Sequence, residues 1–194
     1  SRTVVREAIS KLQAAGLVET RHGIGTFVIG LGDAAPFRVS PEQLSTLQDV
    51  IAVLELRIAI ETEAAALAAQ RRSAEHLQLM RAALDAFATA VEQGRDAVGP
   101  DFQFHHEVAR ATQNHRFVDV IAARGTGAMP RARLAGTAER SDEHKAYLRR
   151  VNVEHESILD AIAAGDAEAA RAAMRTHLAN SRERRRRAAA ATVS

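Results

Sequence analysis

The stretch SRTVVREAISKLQAAGLVETRHGIGTFV, residues 1–28, changes its hydrophobic period part-way along. Val4, Val5, Ala8, Ile9, Leu12 and Ala15 recur at helical spacing, Ser1 is a good N-cap, and Gly16 is a good stop. The spacing predicts a helix over 1–16. Arg2, Thr3, Arg6 and Lys11 lie off the apolar stripe, mostly near the N-terminal end of that helix. Beyond Gly16, Leu17–Thr20 and Thr26–Ile29 read as two short strands joined by a turn at Gly23 and Gly25.

The remainder of the chain is built differently. GLGDAAPFRV, residues 30–39, has glycines, a proline and no period, and reads as a linker. Ser40, Pro41 and Gln43 form a helix start, with an N-cap, a proline at the first helical position and a capping-box glutamine. From there the chain reads as helix after helix. The first ends near Gln70, and the second runs from a Ser73 cap to Gly94. A third spans roughly 97–112. A fourth begins near His115 and meets a Gly125/Gly127/Pro130 interruption that should kink or split it. A fifth covers about 142–164, and a sixth runs from Ala167 to about Arg187 after the Gly165-Asp166 stop and cap. The expected organisation is mainly α: a strand-containing piece at 1–30, a linker at 31–40, and an antiparallel bundle of about six helices at 41–190.

Bulk properties narrow the class. Aromatic residues make up 4% of the 194, with no Trp, so the core must be mostly Leu, Val, Ile and Ala. The absence of cysteine excludes disulfides and thiolate metal sites. No run of about 18 apolar residues suggests a membrane span, and a cytoplasmic protein is expected. Net charge is only +2, and Lys11 and Lys145 are the only lysines. Where the arginines sit therefore matters more than the total.

The bundle carries an unusual set of polar residues. In DFQFHHEVAR, residues 101–110, Asp101 and His105 stand four apart, on one helical face. His155 shares a face with Val151, Ile158 and Ile162, and His177 with Ala170, Ala173, Met174 and Leu178, so both point inward. One inward histidine is usually a satisfied core residue. Three inward imidazoles and a carboxylate, from three helices, are better explained as a divalent metal site. Zinc, nickel and manganese are the foremost metals for such ligands. His106 falls about 140° around the helix from Asp101 and is excluded. His76, His115 and His144 sit in loops or near helix ends and read as ordinary. Arg57 interrupts the apolar run VLELRIAIE. A surface arginine with a snorkelling stem is the simpler reading; pointing inward, it would need an anion and could fork onto a ligand carboxylate. The SRERRRR run, residues 181–187, reads as a solvated helix end.

Residues 1–28 resemble the recognition helix, following strand and glycine-containing wing of the winged helix-turn-helix in the GntR family of bacterial transcription regulators. LELRIAIETEAAALAA, DFQFHHEVARATQN and EHESILDAIAAGDAEAARAAMRTHL resemble the FadR-type ligand-binding domain, the FCD domain. The resemblance implies that the chain starts at the recognition helix, without the helices that precede it. It implies DNA contacts by Arg2, Thr3 and Arg6 in the major groove, and by His22 and Gly23 in the minor groove. In metal-binding members the ligands fall on Asp101, His105, His155 and His177, and Arg57 matches an arginine that contacts effector carboxylates.

The function expected from these features is that of a homodimeric regulator, by default a repressor, acting on a palindromic operator. A small carboxylate or hydroxy acid bound at the metal and Arg57 would control its DNA affinity. Two alternatives use the same residues: a metal-dependent, hydrolase-like enzyme, and a purely structural site in a dimerisation domain. No general base stands out for the first.

Overall fold

Arg2 to Ala14 form helix α1, and strands β1 (Val18–Arg21) and β2 (Gly25–Val28) pair antiparallel behind it. This is a computed structural model, and it describes residues 2–14, 17–21, 23–28, 46–124 and 142–193. The hairpin register pairs Val18 with Val28, Glu19 with Phe27, and Thr20 with Thr26. Thr20 and Thr26 share a hydroxyl hydrogen bond of 2.9 Å. Gly23 takes φ +75° in the turn, a conformation that favours glycine. The apolar stripe of α1 is not covered among the described residues: Val4, Val5 and Leu12 are all exposed. One helix and two four-residue strands do not close a core of their own.

The chain divides into compact units at residues 1–38 and 39–194. The second holds six helices among its described residues: α2 (Leu47–Arg71), α3 (Ala74–Glu92), α4 (Val98–Ala111), α5 (His115–Arg124), α6 (Asp142–Ala164) and α7 (Ala167–Val193). Ser40, Pro41 and Gln43 lie outside the described residues, as do the linker and the Gly125/Gly127/Pro130 interruption. The described start of α2 is later than expected. Thr46 is extended, its hydroxyl accepts from the Asp49 amide, and Asp49 accepts from the Thr46 amide in return. Ser73 caps α3, with His76 closing the reciprocal contact. Gly165 at φ +75° ends α6, and Asp166 caps α7 through the Ala169 amide. Helix α7 continues to Val193 rather than stopping near Arg187. The alanines at 188–191 are strong helix formers and carry it on.

The core explains how the site is positioned. Helix α2 packs along α7 and also meets α4 and α6, while α3 packs on α4 and α6. Ala64, Ala65, Ala68 and Ala69 of α2 are fully buried with Ala170, Met174 and Leu178 of α7 and Ile158 and Ile162 of α6. Small side chains on α2 allow close helix approach. Polar side chains one or two turns toward the N-terminus of α2 are thereby brought against α4, α6 and α7. No helix among the described residues is long and apolar enough to cross a membrane.

Candidate metal centre in the helical unit

His105 on α4, His155 on α6 and His177 on α7 converge inside the bundle. One ring nitrogen from each lies within 4.8 Å of the other two. The rings are in mutual contact, with centroids 5.4 Å apart for His105 and His155, 5.3 Å for His105 and His177, and 4.5 Å for His155 and His177. Asp101, one turn before His105, places Oδ1 3.3 Å from His155 Nε2. Phe87 meets the His155 ring edge-on and Phe104 packs against it at 5.0 Å, so this side of the site is apolar.

The protein does not satisfy these nitrogens by itself. His105 Nε2 and both ring nitrogens of His155 are sealed from solvent and make no hydrogen bond among the described residues. A buried polar atom left unpaired costs about 1–3 kcal/mol; His155 Nε2 has the Asp101 carboxylate nearby, so the penalty falls mainly on the other two. A divalent cation taking imidazole lone pairs would reduce it. Nitrogens around such an ion stand about 3–3.4 Å apart for bonds near 2.1 Å, so the three rings need only a modest closing movement. Burial pushes His105 below its ordinary pKa against the pull of Glu61. It pushes His155 well below, helped by the neighbouring His177, His105 and Arg57. Both imidazoles are neutral near pH 7, which is the state that binds metal.

Two glutamates stand behind two of the histidines. Glu61 on α2 is 2% exposed, and its Oε2 lies 2.6 Å from His105 Nδ1. Glu154 on α6 accepts from His177 Nδ1 at 2.8 Å. It also accepts from Asn180 at 2.9 Å, and from both terminal nitrogens of Arg184 at 2.9 and 3.1 Å. Those partners outweigh partial burial and hold Glu154 down at about pKa 2. A carboxylate behind a histidine fixes its tautomer and orientation, leaving the other nitrogen for a metal.

Arg57 is not a surface arginine. Its side chain is 10% exposed; Nε donates to Glu61 at 2.6 Å and Nη2 at 3.4 Å. Being four residues before Glu61 on α2, it shares the inward face. The arginine-rich end of α7 is likewise not simply solvated, since Arg184 clamps Glu154 and lies over the Tyr147 ring at 5.4 Å. His106 instead stacks on Phe102.

The comparisons with known proteins agree with one another. Residues 1–28 match the gntR family of bacterial regulatory proteins, and residues 52–180 match the FCD domain. The HTH-type transcriptional regulator LutR of Bacillus subtilis is 33% identical over 185 residues, covering 93% of this chain and 82% of that protein. The chain belongs to the GntR family of bacterial regulators, with an FCD domain. The Uxu operon transcriptional regulator of Escherichia coli is 29% identical over 188 residues, covering 95% of this chain and 72% of its own length. Among solved structures, a Streptococcus agalactiae GntR protein shares the fold with a TM-score of 0.58 at 22% identity, covering 94% of this chain and 82% of its own.

As a GntR-family protein the chain is a transcription regulator, and the enzyme reading is set aside because its relatives are regulators. The expected DNA-facing residues fall in different places. Thr3 and Arg6 are exposed on α1 and Gly23 is exposed in the hairpin turn. Arg2 opens α1, while His22 lies outside the described residues. Sequence reading missed Glu61, Glu154 and Arg184 as site residues. Glu61 left a signal, being a carboxylate in register with Leu54 and Ile58 on the inward face of α2. Glu154 left little, because it reaches the histidine of another helix rather than its neighbour His155.

Proposed function

We propose that this regulator senses a small organic acid through a divalent metal held by Asp101, His105, His155 and His177, with Arg57 receiving the acid's carboxylate. The observation that carries this reading is the convergence of three imidazoles from three helices, with sealed, unpartnered ring nitrogens on His105 and His155. Zinc, nickel and manganese suit three imidazoles and one carboxylate. The bound metal would supply a positive centre to which a carboxylate or hydroxyl oxygen coordinates. The Glu61 and Glu154 carboxylates hold His105 and His177 in register. Arg57, held at its Nε by Glu61, offers the far side of its guanidinium to an incoming anion.

Residues 1–30 form the DNA-binding part, 31–40 the linker, and 41–190 the effector-binding and dimerisation domain. Arg2, Thr3 and Arg6 contact bases and phosphates in the major groove, and His22 and Gly23 reach the minor groove. The protein works in the cytoplasm as a homodimeric repressor on a palindromic operator, and the acid releases it. Coupling of about 1–3 kcal/mol between acid and operator suffices, a change of roughly 5–150-fold in affinity.

The test is DNA binding by the full-length protein, using genomic fragments enriched by its own binding and read by fluorescence anisotropy. Hydroxy acids should weaken binding in the presence of zinc, and chelation should abolish that response. A response that persists after chelation, or no response to any small carboxylate, contradicts the proposal.

A further inference from the structure

Arg57 and Glu61 form a buried ion pair beside the histidines, and the pair changes the charge the site can accept. Glu61 Oε1 is 2.6 Å from Arg57 Nε, and the two side chains are 2% and 10% exposed. Glu61 Oε2 also lies against His105 Nδ1. Glu154 does not enter the count, because Arg184 neutralises it on the α7 side. Imidazoles that ligate a metal are neutral, so His105, His155 and His177 add no charge. A divalent metal with Asp101, Glu61 and Arg57 therefore leaves a net charge of about +1 in an enclosed, partly aromatic site.

We infer that Glu61 is a specificity-determining residue that restricts this site to ligands bearing a single negative charge. The inference rests on the proposed metal and carboxylate site. One carboxylate brings the site to neutrality. A second would stand uncompensated where solvent cannot screen it, and would face the Glu61 carboxylate across the guanidinium. Without Glu61 the full charge of Arg57 would face the ligand, and a dianion would be matched instead. Glu61 thus has two effects: it keeps His105 oriented, and it withholds half of the net positive charge that the metal, Asp101 and Arg57 would otherwise show. The restriction follows from charge rather than from size, which separates it from ordinary shape selection.

Isothermal titration of the zinc-loaded full-length protein tests this with L-lactate, L-malate and the 4-monoamide of malate. The amide has the shape of malate with one charge fewer. Wild type should bind lactate and the amide at least about tenfold more tightly than malate. Glu61→Gln should lose that preference by about tenfold or reverse it. The double variant Arg57→Gln/Glu61→Gln restores the net charge and should restore the preference, with weaker binding overall. Cooperative thermal unfolding of each variant shows that it is folded, and the double variant retains a test if Glu61→Gln alone is not.

Malate bound as well as its amide by wild type would overturn the inference. So would a preference unchanged in Glu61→Gln, or failure of all three acids to bind zinc-loaded protein. Failure of wild type to take up zinc at all would instead overturn the metal reading on which the inference rests.

Discussion

His105 and His177 are each backed by a glutamate, yet the two glutamates live in different surroundings. Glu61 is 2% exposed, and its cationic partner Arg57 is largely shielded beside it, with its side chain 10% exposed. The Glu154 side chain is 18% exposed and is tied to Arg184 and Asn180 on α7, where water reaches the network. The chemistry of the two pairs is the same; the dielectric around them is not. Glu61 should therefore matter to folding and ligand charge, whereas Glu154 should matter chiefly to the orientation of one histidine.

The largest expected effect removes a ligand common to both arms of the comparison. His155→Ala should abolish metal binding, measured by zinc competition titration, because His155 contacts both of the other rings. Next, Glu61→Ala leaves Arg57 buried without its partner and should destabilise the metal-free protein by about 3–5 kcal/mol in urea denaturation. Glu154→Ala should cost less, about 1–2 kcal/mol in the same experiment, because the network is partly exposed and Arg184 can turn to water. Both should weaken metal binding by roughly 10–100-fold. Equal destabilisation by the two substitutions would break the comparison. Arg184→Ala should have the smallest effect, lowering metal affinity only a few-fold while leaving stability nearly unchanged.

Acid titration sharpens the same contrast. His105 and His155 have lowered pKa values in the folded state, so below their ordinary value near 6.5 the unfolded chain binds protons that the folded one refuses. The metal-free protein should lose stability as pH falls from about 6.5, and metal binding should shift the onset downward. Glu154, held at about 2 against an ordinary 4.5, stabilises the fold above pH 4.5, and that contribution fades between the two values. Denaturation followed from about pH 8 to 3 should show the histidine phase first. A profile flat down to about pH 4.5 would contradict neutral, buried imidazoles.

Much of this was readable in the residue order. The inward faces of α4, α6 and α7 could be counted from hydrophobic spacing, so Asp101, His105, His155 and His177 could each be turned toward the bundle interior, while the resemblance to the FCD domain implied that they meet there. The Gly165-Asp166 stop and cap was equally clear. Arg57 was harder, because an arginine on an apolar helix can snorkel or turn inward, and the choice depends on Glu61 one turn on. Glu154 and Arg184 were harder still. Their pairing spans thirty residues and two helices, and a local pattern carries no information about which helix faces which. The stripe of α1 shows the reverse limit, since regular spacing marks a face meant for burial without saying what covers it.

Metal stoichiometry tests most directly whether the histidine cluster is a metal site. Inductively coupled plasma mass spectrometry on the purified protein should find about one divalent ion per chain, and none in His105→Ala. Metal-free wild type that takes up no zinc, nickel or manganese on reconstitution would contradict a metal site. The three imidazoles would then be core residues or direct contacts of an organic ligand.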